Sequence, residues 1–206
     1  MSTNKDAGGD RDQAARKGAA QRVFDTAREL FYRRGVRAVG VDEIVCQAGV
    51  TKPSLYRAFA SKDDLVAACL EESAREGREA LDRLLAELPA DPRRQLSALL
   101  RHYAELVARP DFRGCPLTNT AVEFPEAGHA GRQVAEGCKN EMRALLVGLT
   151  RQLPARDPEA LADGLVLIIE GAMASHHIYG SQGPSAALVA TGEALIDRHV
   201  AAAATT

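Results

Sequence analysis

From Arg16 onward, apolar positions recur every three or four residues, which is the spacing of one buried helix face, and no stretch alternates as a half-buried strand would. Val23, Ala27, Leu30 and Phe31 stripe a first helix over about Arg16 to Arg34, and Gly35 stops it. Val41, Ile44, Val45 and Ala48 make the inner face of a second, short helix. Gly49 ends that helix, because glycine tolerates the left-handed backbone such a stop often needs. Val50 fills the space between it and the next helix. Thr51 stands at the cap of that third helix, Pro53 sits in its first turn, and Leu55 and Phe59 point it into the same core. Ser61 and Asp64 have the spacing of a capping box and open a long fourth helix reaching about Leu88, with Leu65, Ala68, Cys69, Leu81, Leu84, Leu85 and Leu88 inside. Asp91-Pro92, Gly114-Cys115-Pro116 and Asp157-Pro158 start further helices. A striped helix follows the loop Pro125 to Gly131, and Gly183-Pro184 sets off the last helix, about Ser185 to Val200. The pattern predicts an all-α protein: a polar, disordered tail at 1–14, a three-helix domain at 15–62 and a helical bundle at 63–206.

The surface of the third helix changes the picture. Thr51, Lys52, Ser54, Tyr56 and Arg57 project from it or from its N-terminus, a set of hydroxyls, cations and one amphipathic ring with no carboxylate among them. Such a face suits the major groove of double-stranded DNA, where these groups meet base edges and phosphates. Two short helices joined by a glycine turn of this length form a helix-turn-helix, whose second helix reads the groove. Lys62, in the first turn of the fourth helix, is expected at a phosphate, and Arg16, Lys17 and Arg22 can reach the backbone or form a solvated face.

These residues resemble the DNA-binding domain of the TetR/AcrR family of bacterial transcriptional regulators. Gly35, Val41, Ile44, Ala48, Gly49, Val50, Leu55, Tyr56, Phe59, Lys62 and Leu65 carry the resemblance, over roughly residues 18–66. Gly40 stands where the family usually has Ser or Thr, which weakens the cap of the second helix, and Pro53 replaces a small residue. The resemblance implies a homodimer through its last two helices that binds a palindromic operator, most simply as a repressor, with Val41 joining the third-helix residues at DNA. It also implies a helical domain that takes a small-molecule effector and releases the operator. In that domain Tyr103, Leu106, Cys115, Asn119, Val122, Cys138, Met142, Glu170, Met173 and His177 are the candidate pocket residues, mixing a few orienting groups among apolar ones. The last two helices are rich in small residues, Gly164, Gly171, Ala172, Ala174, Ser175, Ala186, Ala187, Ala190, Gly192 and Ala194, which let helices approach closely.

Charge and composition sharpen this reading. The chain has 206 residues, 46% of them hydrophobic, and a formal charge of -2. Its first 60 residues carry a net +4, and the remainder is correspondingly acidic, so a polyanion partner fits one end only. No apolar stretch is long enough to span a bilayer, and the N-terminus is polar and unlike a signal peptide, so the expected compartment is the cytoplasm, with no membrane partner. The four cysteines, Cys46, Cys69, Cys115 and Cys138, lack metal-type spacing and read as free thiols in a reducing compartment. His176 and His177 are adjacent on a helix and point about 100° apart, so they read as packing residues and not as metal ligands. No cofactor is expected. There is no Gly-x-Ser-x-Gly, His-Glu-x-x-His or glycine-rich phosphate motif, and an all-helical enzyme remains only as a different-class alternative. Cys115 offers another alternative within the same fold. It precedes Pro116 at a helix start, near Arg113, where a thiolate is favoured, and it would make the protein a redox or electrophile sensor.

Overall fold

The computed structural model describes residues 6–204, and among them there are nine α-helices and no strand. The helices are α1 (Asp6–Arg34), α2 (Val41–Ala48), α3 (Lys52–Ala58), α4 (Lys62–Ala86), α5 (Pro92–Val107), α6 (Pro116–Glu123), α7 (Ala130–Thr150), α8 (Pro158–Tyr179) and α9 (Leu188–Ala204). Two short 3-10 turns fill the link between α8 and α9. No described helix is long and apolar enough to cross a membrane. Helix α1 starts ten residues ahead of the Arg16 expected from the apolar stripe, within the tail at 1–14. Once a helix is nucleated each added residue costs little, so polar residues can extend a helix that its apolar stripe has started. Residues 1–5 of that tail lie outside the described residues.

The chain divides into two compact units, and the first takes the chain up to Ser73 together with Pro116–Ala135. Its core joins Val23, Ala27, Leu30 and Phe31 of α1 to Ile44, Val45 and Ala48 of α2, Leu55 of α3, and Leu65, Val66 and Leu70 of α4. Gly49 closes α2 in the left-handed region at φ 61°, and the amide of Val50 donates to Val45 O at 3.0 Å. Ser61 caps α4 as its spacing predicts. Its Oγ accepts from the Asp64 amide at 3.0 Å and donates to the Asp64 carboxylate at 2.8 Å. Thr51 occupies the cap position of α3 with extended backbone, but its hydroxyl makes no capping bond and meets Ser54 Oγ at 3.0 Å instead.

The second unit takes Ala74–Cys115 and the chain from Glu136 on. Its core gathers Leu96, Leu99 and Leu100 of α5, Leu146 and Leu149 of α7, Leu161, Leu165 and Ile169 of α8, and Ile196 of α9. Asp91 and Asp157 each cap a helix whose next residue is proline, accepting from the amides of Arg94 and Ala160. The small residues of the last two helices serve two purposes. Gly164 admits Leu195, and Gly192 admits Leu100, each so closely that a Cβ would lie within 2.7 Å of a methyl group. Gly171, Ala174, Ala186, Ala187, Ala190 and Ala194 instead lie on the surface.

Candidate nucleic-acid interface

Burial of Leu55 on one side of α3 turns the rest of that helix outward. Tyr56 is 49% exposed, Thr51, Lys52 and Arg57 are exposed, and Ser54 is half-buried. The outer face is pre-arranged. Arg57 lies back along its own helix, with Nε donating to Pro53 O at 3.2 Å and a second nitrogen to Ser54 Oγ at 3.3 Å. Lys52 Nζ stands 2.7 Å from Asp42 Oδ1 of α2, and that carboxylate holds the ammonium above the ordinary lysine range. Both side chains are solvent-exposed, so water screens the pair and Lys52 can exchange Asp42 for a phosphate or a base edge at little cost. Val41 is half-buried at the start of α2, beyond Gly40, which provides no side-chain cap.

Two cations expected at phosphates have inward partners. Lys62 donates from Nζ to Val36 O at 2.7 Å, its ammonium 5.9 Å from the centre of the Phe31 ring, and burial lowers it below the ordinary lysine range. Arg22 donates from Nε to Ala48 O at 3.1 Å, tying α1 to the end of α2. Arg22 meets a carbonyl at the end of the short helix α2, where backbone oxygens lack helical partners, whereas Lys62 reaches a loop carbonyl that also accepts from the Val39 amide at 3.3 Å. The side chains of Arg16 and Lys17 lie outside the described residues. The α1–α2 loop also receives Glu123, from the end of α6, which no sequence signal marks. Its carboxylate accepts from the Val36 amide at 3.1 Å and the Arg37 amide at 2.8 Å.

In the second unit, five of the candidate pocket residues come together around one that sequence reasoning missed. Lys139 of α7 donates from Nζ to Glu170 Oε1 of α8 at 2.5 Å and to Cys115 Sγ at 3.3 Å. Burial opposes the charge on Lys139, but Cys115 and Glu170 beside it hold the ammonium above its ordinary range. Tyr103 of α5 donates its hydroxyl to Met142 Sδ at 3.3 Å, and burial pushes that hydroxyl up to about 12, so it stays a neutral donor. Burial also raises the Cys138 thiol. Of the other candidates, two share the apolar core that Tyr103, Cys115 and Met142 pack against, and three do not. Leu106 packs on the core and Met173 is buried within it; Asn119 belongs to α6 in the first unit; Val122 is 77% exposed and His177 is exposed. His176 packs edge-on against Phe112, with ring centres 5.5 Å apart.

An all-helical chain with a buried-core helix-turn-helix and an outward face of hydroxyls and cations defines a sequence-reading DNA-binding protein. Comparison with known proteins makes the class definite. Residues 23–69 match the family model described as bacterial regulatory proteins of the tetR family, and residues 92–191 match the tetracyclin repressor-like C-terminal domain. The chain is similar to the transcriptional activator FasR of Mycolicibacterium smegmatis, at 31% identity over 69% of this chain and 64% of that protein. It is also similar to the transcriptional repressor DhaR of a Mycobacterium species, at 25% identity over 82% of this chain and 88% of that one. Among solved structures, a TetR-type transcriptional regulator of Streptomyces avermitilis superposes with a TM-score of 0.77 at 31% identity, covering 88% of this chain and 97% of that one. The protein belongs to the TetR family: it is a transcriptional regulator with a DNA-binding domain, not an enzyme.

Proposed function

We propose that the protein is a homodimeric repressor of the cytoplasm that holds a palindromic operator through α3 and lets go when the second unit takes a small-molecule effector. The observation that carries the DNA half is the outer face of α3, where Thr51, Lys52, Ser54, Tyr56 and Arg57 leave no carboxylate of their own helix facing a groove. An apolar stripe supports the dimer. On α8, Leu167 at 73% and Ile178 at 78% exposure line up with exposed Gly171 and Ala174 at helical spacing, flanking the exposed alanines of α9. Two copies joined there would present two recognition helices, as a two-fold operator requires. Repression is the simplest use of such a module; the relatives include an activator and a repressor.

The effector reading rests on Lys139, a half-buried ammonium between Glu170 and Cys115 in apolar surroundings, which suits a ligand bearing an acidic or polarised carbonyl group. The same pair supports a second reading, that Cys115 itself answers electrophiles, because its sulfur is only partly buried and accepts from the Lys139 ammonium at 3.3 Å. The first experiment is selection of bound duplexes from a random pool with the purified chain. A palindrome should emerge, bound less tightly as salt rises. Lys52→Ala or Arg57→Ala should alter base preference, while Tyr56→Phe should weaken all sequences alike. Binding with no sequence preference would reject the operator reading.

A further inference from the structure

The α1–α2 loop connects the first helix to the motif that reads DNA, and its position is set from outside the motif. Gly35 turns the chain at φ 84°, and Val36 and Val39 anchor the loop in the core. Beyond the turn, the successive amides of Val36 and Arg37 both donate to the two oxygens of Glu123, at 3.1 and 2.8 Å. Two consecutive N–H groups converging on one carboxylate form an anion-binding concavity. On the opposite side of the same residue, Val36 O accepts from Lys62 Nζ at 2.7 Å. Residue 36 is thus held at both its backbone polar groups, by an acid and a base from different helices. The carboxylate is seated tightly: a Cβ on Gly35 would come 2.7 Å from Glu123 Oε1. The segment after Glu123 adds an aromatic contact, because Arg37 lies 4.9 Å over the Phe124 ring, which stacks on His129 at 3.9 Å.

This clamp meets a need visible in the sequence. Helix α2 begins after Gly40, which has no side chain to cap it, and besides the Arg34–Glu43 ion pair that ties the end of α1 to its first turn, a residue from another helix locks the loop in place. The residue that does so lies outside the 23–69 match to the DNA-binding family model and inside the 92–191 match to the C-terminal one.

We infer that Glu123 is a positioning residue for DNA binding: by gripping the Val36 and Arg37 amides it sets the angle of α2 and α3 against α1, and without it the recognition helix loses its docking geometry. The inference rests on the DNA-binding assignment, and wild-type binding to the selected operator is therefore measured first. Absence of that binding rejects the operator reading; the inference itself is decided by the variants. Full-length Glu123→Ala should bind the operator at least about tenfold more weakly, since two charge-assisted bonds are lost. Its salt dependence should keep the wild-type slope, because no phosphate contact is removed. Glu123→Gln retains one acceptor oxygen and should fall between the two. Hydrogen exchange of the Val36 and Arg37 amides should accelerate in the same order, with the α3 amides unchanged. Leu146→Ala, a core truncation in the second unit, reports what lost stability alone does and should keep operator affinity well below its melting temperature. Equal operator affinity in Glu123→Ala and wild type would overturn the inference. So would a loss no larger than that of Leu146→Ala at matched stability, or unchanged exchange at Val36 and Arg37.

Discussion

Cys115, Cys138 and Cys69 are chemically alike in sequence and unlike in place. Burial pushes the Cys69 thiol up to about 12, and it raises Cys138 as well, so at neutral pH very little of either is thiolate. Cys115 has the Lys139 ammonium at 3.3 Å, and Cys46 is simply exposed. If Cys115 is a sensor, a maleimide should modify it first and Cys69 last. Addition breaks the maleimide double bond: the sulfur bonds to one carbon, the thiol proton passes to solvent, the other carbon takes a proton from solvent, and the adduct should release the operator. Raising the pH toward 9 should speed Cys138 before Cys69, because thiolate grows as pH approaches each raised value. Cys115→Ser should abolish release, and Lys139→Met should slow the reaction. Mass spectrometry of partly labelled protein checks the order; Cys115 reacting no faster than Cys46 at neutral pH would return it to packing. Lys139 was not legible beforehand, because a lysine on a polar-looking helix position reads as surface until α8 brings Glu170 against it.

At the scale of elements, the two glycines that punctuate the motif test different things. Gly49 has a left-handed backbone with nothing near its missing Cβ, so Gly49→Ala should cost only the backbone term, about 1–2 kcal/mol. Gly35 has the same kind of backbone, but a Cβ there meets Glu123. Gly35→Ala should therefore be the more damaging, by urea unfolding, and should also weaken operator binding as Glu123→Ala does. Equal losses would mean that the carboxylate moves aside freely. The helix starts at Ser61, Asp91 and Asp157 were readable because capping is a local event, made by a side chain three residues from its amide. Thr51 shows the limit of that rule: its hydroxyl had a rival partner in Ser54 within the same turn.

For the molecule as a whole, the stripe Leu167, Gly171, Ala174 and Ile178 carries the dimer proposal. Gly171 has open space where a side chain would go, so Gly171→Arg should leave the single chain folded and block only association. Sedimentation should then find monomers, and operator affinity should fall by about a hundredfold or more as paired half-sites are lost. An unchanged dimer would move the interface elsewhere. Gly164 and Gly192, which look equivalent in sequence, make poor tests, because each admits a leucine from within its own unit and any larger residue there would disturb the core.

What the sequence determined by itself was the helical class, the helix-turn-helix and the outward face of α3. All three follow from periodicity, glycine stops and caps, which act over a few residues of chain. What only the tertiary structure decided were partnerships across long separations: Glu123 on the amides of Val36 and Arg37, Lys62 on Val36 O, and Lys139 between Cys115 and Glu170. A charged side chain carries no mark of which distant backbone group or ion it will meet. That choice is made by how the apolar faces pack, and the charges take the partners the packing leaves within reach.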